Sequence, residues 1–249
     1  TPVAVLFVVI RPRPFASLLR APVLQLALHP ARRDAIPEEM VGTGLGAAPN
    51  IIMMDPPQHN RMRKLVIGAF TPRAAAQLEP RVRQIARETI AAVPRGRVVD
   101  FVDELAVPLP MLVIAEMLGV PHEDRDDFRR WSDQMVRAGA GMFDEETNRT
   151  LPELFAYLGE RVKERREAPG EGVLATLLGA EIDGDRLSDA EIVMFLMTLL
   201  VAGNETTRNL IAGGTKLLFD HPEQPARLAA EPEGEPNAAE ALLRLASHE

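Results

Sequence analysis

The stretch from Ser188 to Phe219 constrains this chain more than any other. Ser188-Asp189-Ala190-Glu191 has the pattern of a capping box, in which a serine and a glutamate satisfy each other's free backbone donors. From that start a helix can run to about Phe219 without meeting a proline. At 1.5 Å per residue it would be about 48 Å long. Ile192 to Gly203 is apolar nearly all round, which predicts a central helix enclosed by others rather than a surface helix. Within it, Ala202-Gly203-Asn204-Glu205-Thr206-Thr207 sets a carboxylate and two hydroxyls into an otherwise greasy segment. Burying such groups costs free energy unless each finds a partner. The expectation is therefore a buried Glu-Thr-Thr group, either paired internally or presented to a reaction.

The rest of the chain supports a mostly α fold. Ala, Leu, Arg and Glu dominate, aromatic residues make up only 4%, and the period-2 alternation of strands is scarce. Residues 1–249 read as a single domain built around the one long helix. The apolar run Val3 to Ile10 reads as a strand, a small β component, and is well under half of the ~20 residues a membrane span needs. Its arginines follow rather than precede it, unlike a signal peptide. A soluble, cytoplasmic protein is expected. The net charge of −8 argues against a general nucleic-acid binder, since neutralising phosphates takes surplus Lys and Arg. With no cysteine, the chain has no disulfide, no thiolate metal site and no thiolate to offer iron.

Short helices are expected over Phe15 to Leu28, and a long loop over Ala31 to Asn50. Asp55-Pro56-Pro57 opens a helix to about Ala69, and Thr71-Pro72 starts another with a cap and a first-turn proline. Val99 to Leu118 is a further helical stretch, stopped by Gly119 and Pro121. His122 to Arg137 is polar and holds the only Trp; Asp144 to Arg166 is long and charged, with Leu151, Leu154, Leu158 and Val162 on one face. After a break at Gly170 to Gly172, Val173 to Leu178 forms a short helix. Ile182-Asp183-Gly184-Asp185 is a tight turn, Asp-Gly supplying positive φ, and a poor match to a calcium loop. His221-Pro222 ends the long helix, and Ala238 to Ala246 is the last.

Two places can carry chemistry. Gly203 removes a side chain from one face of the central helix and lets something flat approach it. A threonine hydroxyl can bond back to a carbonyl one turn earlier, which opens the helix and leaves a groove for water. Glu205, Thr206 and such a groove together make a proton-delivery device. The plainer alternative is close helix packing with back-bonded threonines. The second place is Met53-Met54-Asp55-Pro56-Pro57-Gln58-His59-Asn60-Arg61-Met62-Arg63. His59 and Arg63 are four apart, share a helical face and suit a pair of carboxylates; the alternative is a surface histidine among surface arginines.

Taken together these segments resemble the cytochrome P-450 family, the haem-thiolate monooxygenases, in its soluble bacterial form. Met-Met-Asp-Pro-Pro-x-His-x-x-x-Arg followed by Ala69-Phe70-Thr71-Pro72-Arg73 is similar to the helix that contacts the haem propionates. Ala202 to Thr207 is similar to the oxygen-activating motif Ala-Gly-x-Glu/Asp-Thr-Thr, and Asp220-His221-Pro222-Glu223-Gln224 to the segment after it. Leu118-Gly119-Val120-Pro121 also fits, and Phe7 to Arg11 with Phe15 to Pro22 weakly resembles the early strand and helix.

The resemblance implies haem b (iron protoporphyrin) lying flat against the central helix. His59 and Arg63 would bind its propionates. Ala202, Gly203 and Thr206 would line its distal side, and Glu205 and Thr206 would relay protons to dioxygen. Thr198, Val201 and Ala202 would face a hydrophobic small-molecule substrate, with the motif's variant residues a pointer to steroids, terpenoids or lipids. Electrons would come from a ferredoxin and ferredoxin reductase, and ultimately from NAD(P)H. The family's axial Cys lies in a loop beyond the last helix seen here, so the chain is expected to be incomplete at both ends and inactive as it stands. Ala241-Leu242-Leu243-Arg244 occupies the place of the family's Glu-x-x-Arg, with Ala241 for the glutamate, and Glu240, about 100° away around the helix, is expected to be a poor substitute. A non-catalytic helical remnant that keeps a small-molecule pocket is the alternative.

Overall fold

The computed structural model describes residues 50–139, 144–231 and 235–246. The expected strand at Val3 to Ile10, the helices over Phe15 to Leu28 and all but the last residue of the loop to Asn50 lie outside the described residues.

Chain geometry follows local chemistry in most places. α1 (Gln58–Val66) follows the Asp55-Pro56-Pro57 segment and tightens into a 3₁₀ turn over Ile67–Phe70. Thr71 caps α2 (Pro72–Ala92), its Oγ1 accepting the Ala74 N–H at 3.2 Å, while Pro72 takes a position where no donor is missed. The stretch from Val99 to Leu118 is not one α-helix. A π-helical turn over Val102–Ala106 comes first, closed by the Val107 N–H on the Val102 carbonyl at 2.9 Å. α3 (Pro108–Leu118) follows. The cause is in the sequence: Pro108 and Pro110 have no N–H to give to the carbonyls four residues back, so regular α bonding fails there. Gly119 ends α3 in the left-handed region, at φ 69°.

α4 (Arg125–Gly139) and α5 (Glu145–Glu167) pack against each other, and α6 (Val173–Gly179) packs on α5. Asp144 caps α5 through the Thr147 N–H at 2.8 Å. β1 (Glu181–Ile182) and β2 (Asp185–Arg186) form an antiparallel hairpin, Glu181 opposite Arg186 and Ile182 opposite Asp185. Its turn residues Asp183 and Gly184 both have positive φ, 55° and 80°, as a two-residue primed turn requires. This hairpin is the whole β component among the described residues.

α7 (Asp189–Asp220) is one continuous helix of 32 residues. Its capping box forms: the Glu191 N–H reaches Ser188 Oγ at 3.2 Å and the Ser188 N–H reaches Glu191 Oε2 at 2.8 Å. α8 (Glu223–Ala230) and α9 (Glu235–Ala246) follow, and α9 lies along α7, with Leu242 against Gly214. No helix among the described residues is long and apolar enough to cross a membrane.

The first half of α7 is the core. Ile192, Val193, Leu196, Met197 and Leu200 are at most 1% exposed. They belong to one cluster with Met62 of α1, Ile114 and Ala115 of α3, Phe128 of α4, Leu154, Leu158 and Val162 of α5, and Leu177 of α6. Each such aliphatic side chain contributes about 1.5–3 kcal/mol on burial. The stripe on α5 is the one the sequence predicts, except that Leu151 is only half-buried.

The enclosure thins after Leu200. Val201, Ala202 and Gly203 are half-buried and Asn204 is buried, but Glu205 and Thr206 are exposed. The expectation that the Glu-Thr pair sits inside the core is therefore corrected: both side chains lie on a side of α7 that the other described residues leave exposed, although Asn204 before them and Gly214 further along are buried. Arg244 makes a surface pair with Glu240. Its Nη2 donates to Glu240 Oε1 at 2.8 Å, since residues four apart on a helix are surface neighbours. Glu240 thus does reach Arg244, although both side chains are largely exposed.

Candidate active site

A cavity of about 630 Å³ opens between α1, α2, α3 and α7, with Ala239 and Leu243 of α9 at its edge. Its walls are mostly apolar: Leu78 and Val82 from α2, Val113, Ile114 and Met117 from α3, and Phe70 and Phe195 between them. His59 and Arg63, four apart on α1, add charged and polar lining, as does Glu79 of α2, whose carboxylate is paired with Arg83 at 2.8 Å. Thr198, Leu199, Ala202, Gly203 and Thr207 line it from α7. Five of the residues singled out from the sequence therefore meet around one space: His59, Arg63, Thr198, Ala202 and Gly203.

Three do not line it. Val201 is half-buried outside the cavity wall, and Glu205 and Thr206 are on the exposed side of α7. Thr206 Oγ1 donates to the Ala202 carbonyl at 2.5 Å, the back-bond expected from its position. Thr198 makes the same bond to Met194 at 2.8 Å. Thr207, the last residue of the Glu-Thr-Thr group, does line the cavity, one turn on from Gly203.

Gly203 has a packing role as well. A Cβ at this position would stand 3.1 Å from Ile114 Cδ1, so the bare backbone is what lets α3 and α7 approach. Sequence reasoning also missed Arg61. Its guanidinium is held on the far side of α1 by Asp185 at 2.6 and 2.8 Å and by Glu191 at 2.5 Å. These bonds raise the Arg61 pKa further above its ordinary value. Arg61 in turn holds Asp185 below the usual carboxylate range. Burial pushes Glu191 up, but the Ser188 N–H and the Arg61 guanidinium outweigh it and leave the group lowered.

The donor set suits one part of a haem and not the other. An apolar cavity lined by a histidine and an arginine from one helix, its one carboxylate Glu79 already paired with Arg83, fits a hydrophobic group with anionic substituents. For iron, the chain offers no thiolate, and no cluster of three metal-binding side chains occurs among the described residues.

No protein-family model matches the chain. It is 42% identical over 200 residues to the vitamin D(3) 25-hydroxylase of Pseudonocardia autotrophica, an alignment that covers 80% of this chain and 49% of that protein. Its fold superposes on cytochrome P450 CYP109Q5 from Chondromyces apiculatus with a TM-score of 0.72 at 45% identity, covering 79% of this chain and 49% of that one. The chain belongs to the bacterial cytochrome P450 family. A further P450, CYP109E1 from Bacillus megaterium in complex with testosterone, matches with a TM-score of 0.72 at 39% identity over 78% of this chain and 53% of that one. The chain spans about half the length of the curated P450 relatives it matches. Cytochromes P450 are haem b-binding, haem-thiolate monooxygenases, and relatives of this chain are named as hydroxylases and epoxidases.

Proposed function

We propose that the protein containing this chain is a monooxygenase that inserts one oxygen atom of dioxygen into a hydrophobic small molecule. The observation that carries this reading is the meeting of His59 and Arg63 with Thr198, Ala202 and Gly203 around one apolar cavity. Residues 1–249 would form the interior of a single domain, in a cytoplasmic protein. Bound haem would supply the binding and activation of dioxygen.

This chain's own residues divide the remaining work. His59 and Arg63 would hold the propionates by charge-assisted hydrogen bonds. Ala202 and Gly203 leave room on the α7 side of the cavity because neither has a side chain beyond Cβ. Thr198, a turn earlier, would face the substrate, whereas Val201 lies outside the cavity wall. Glu205, exposed on α7, would be the group in contact with solvent. Thr206 commits its own proton to the Ala202 carbonyl, which leaves its oxygen lone pairs able to accept from a water. Electrons would arrive from a ferredoxin and its NAD(P)H-dependent reductase.

An apolar cavity of this size selects for bulk and hydrophobicity more than for polar groups. Sterol-like molecules are the first choice, given relatives named for vitamin D(3) hydroxylation and solved with testosterone. The test is to incubate the intact gene product with a ferredoxin, its reductase, NADPH and either compound under ¹⁸O-labelled dioxygen. One labelled oxygen in the product supports the reading. Haem loading without product from a broad set of hydrophobic compounds would favour a binding protein that makes no oxidant.

A further inference from the structure

Arg61 lies between His59 and Arg63 in sequence, two residues from each. Two steps along a helix turn a side chain by about 200°, so Arg61 leaves α1 on the side away from the cavity. What it meets there is specific. Nε and Nη2 donate in parallel to the two carboxylate oxygens of Asp185, at 2.6 and 2.8 Å. Nη1 donates to Glu191 Oε1 at 2.5 Å, and Nη2 also reaches the Arg186 carbonyl at 3.0 Å. The second oxygen of Glu191 is already engaged by the Ser188 N–H and hydroxyl in the capping box of α7. One guanidinium therefore joins α1, the hairpin and the first turn of the central helix.

α1 needs such a fastening. It has nine residues, too few to be stable alone, and it buries only Met62, Leu65 and Val66. An apolar stripe restrains a short helix against tilting away but leaves rotation and sliding comparatively soft. A forked ion pair on the opposite side removes both freedoms, because both carboxylates must be met at once. Side-chain exposures of 36% for Arg61, 43% for Asp185 and 16% for Glu191 put the cluster at the protein surface, where isolated pairs contribute little but bidentate networks contribute more.

We propose that Arg61 is a positioning residue for the cofactor site, setting α1 against the start of α7 so that His59 and Arg63 face the same cavity as Ala202 and Gly203. The proposal rests on the reading of His59 and Arg63 as the propionate-binding pair. It assigns the fork, not the charge, as the working part. Lysine at position 61 keeps the charge but cannot meet Asp185 in two parallel bonds.

The test uses the intact, haem-loaded protein. Haem transfer to excess apomyoglobin is timed for Arg61→Gln, Arg61→Lys and Asp185→Asn, and for Arg61→Gln in a His59→Ala/Arg63→Ala background. Hydrogen–deuterium exchange is followed in residues 58–66 and, as a control, 108–118. The expected result is faster haem loss by about tenfold or more in the Arg61 variants, the scale on which supporting residues affect a metal site. Exchange should rise in 58–66 with 108–118 unchanged. In the double-variant background Arg61→Gln should add almost nothing, because the groups it positions are gone. An equal effect of Arg61→Gln in both backgrounds overturns the positioning role, as does wild-type haem loss in Arg61→Lys. If His59→Ala/Arg63→Ala speeds haem loss but Arg61→Gln changes neither haem loss nor exchange, only the positioning role falls. If the His59/Arg63 double variant retains haem like the wild type, the reading of that pair falls and the proposal with it.

Discussion

Gly203 of α7 and Ile114 of α3 touch across the cavity wall, with only 3.1 Å between Ile114 Cδ1 and the place where a Cβ would stand on Gly203. Ile114 is 4% exposed and packed in the core, so it has little room to yield. A large side chain at 203 is an overpacking substitution. Gly203→Leu should lower unfolding stability by about 1–3 kcal/mol. Ile114→Ala in the same molecule should recover part of that loss, although alone it costs stability. A denaturant double-mutant cycle measures the coupling. Additive effects would mean that the two residues do not constrain each other.

Leu196 is fully buried in the first half of α7, among side chains from several other helices. Leu196→Ala should cost about 2–5 kcal/mol, transfer plus cavity. Leu210, half-buried and lining the cavity later in the same helix, should cost less when truncated. Comparable losses at the two positions would contradict the uneven enclosure of α7.

Thr206→Ala removes a hydroxyl that bonds to the Ala202 carbonyl and, among the described residues, to no other side chain. Folding and substrate binding should change little in the intact enzyme. Electron consumption should lose its one-to-one relation with product, since proton delivery is impaired, and Thr206→Ser should restore most of it. The ratio of product formed to NADPH consumed decides this. A ratio equal to that of the parent would remove Thr206 from the proton path.

The Arg61 cluster carries a pH dependence with a defined sign. Asp185 and Glu191 both have lowered pKa values in the folded protein. A carboxylate lowered by folding stabilises the fold above its unfolded pKa, and that contribution disappears as pH falls through the folded value. Stability should therefore be flat near neutrality and decline on acidification below about pH 4. The decline should be shallower in Asp185→Asn, which is already weaker at pH 7. Chemical denaturation of both proteins across pH 3 to 7, on the order of the carboxylate range, tests this. Parallel curves would show that the fork does not titrate with folding.

Much of this fold is legible because its signals are local. Ser188 and Glu191 form the capping box that their spacing implies, Thr71 caps α2, Asp183-Gly184 makes the hairpin turn, and Leu154, Leu158 and Val162 bury one face of α5. His59 and Arg63 share a face because a helix places residues four apart together. The misreadings have different causes. The exposure of Glu205 and Thr206 depends on which side of α7 the other helices cover, which no pattern inside α7 encodes. The π-helical turn at Val102 follows from two prolines acting on carbonyls upstream of them. The Arg61–Asp185 contact joins residues 124 apart in sequence, and nothing near either residue announces it.

The central claim is that His59 and Arg63 hold a haem in the cavity they share with Ala202 and Gly203. The direct measurement is haem retention by the intact gene product, followed by absorbance during dilution into apomyoglobin, for the parent and for His59→Ala/Arg63→Ala. The account predicts stable haem in the parent and loss faster by about tenfold or more in the double variant. A parent that never loads haem, or a double variant that keeps it equally well, would contradict the account.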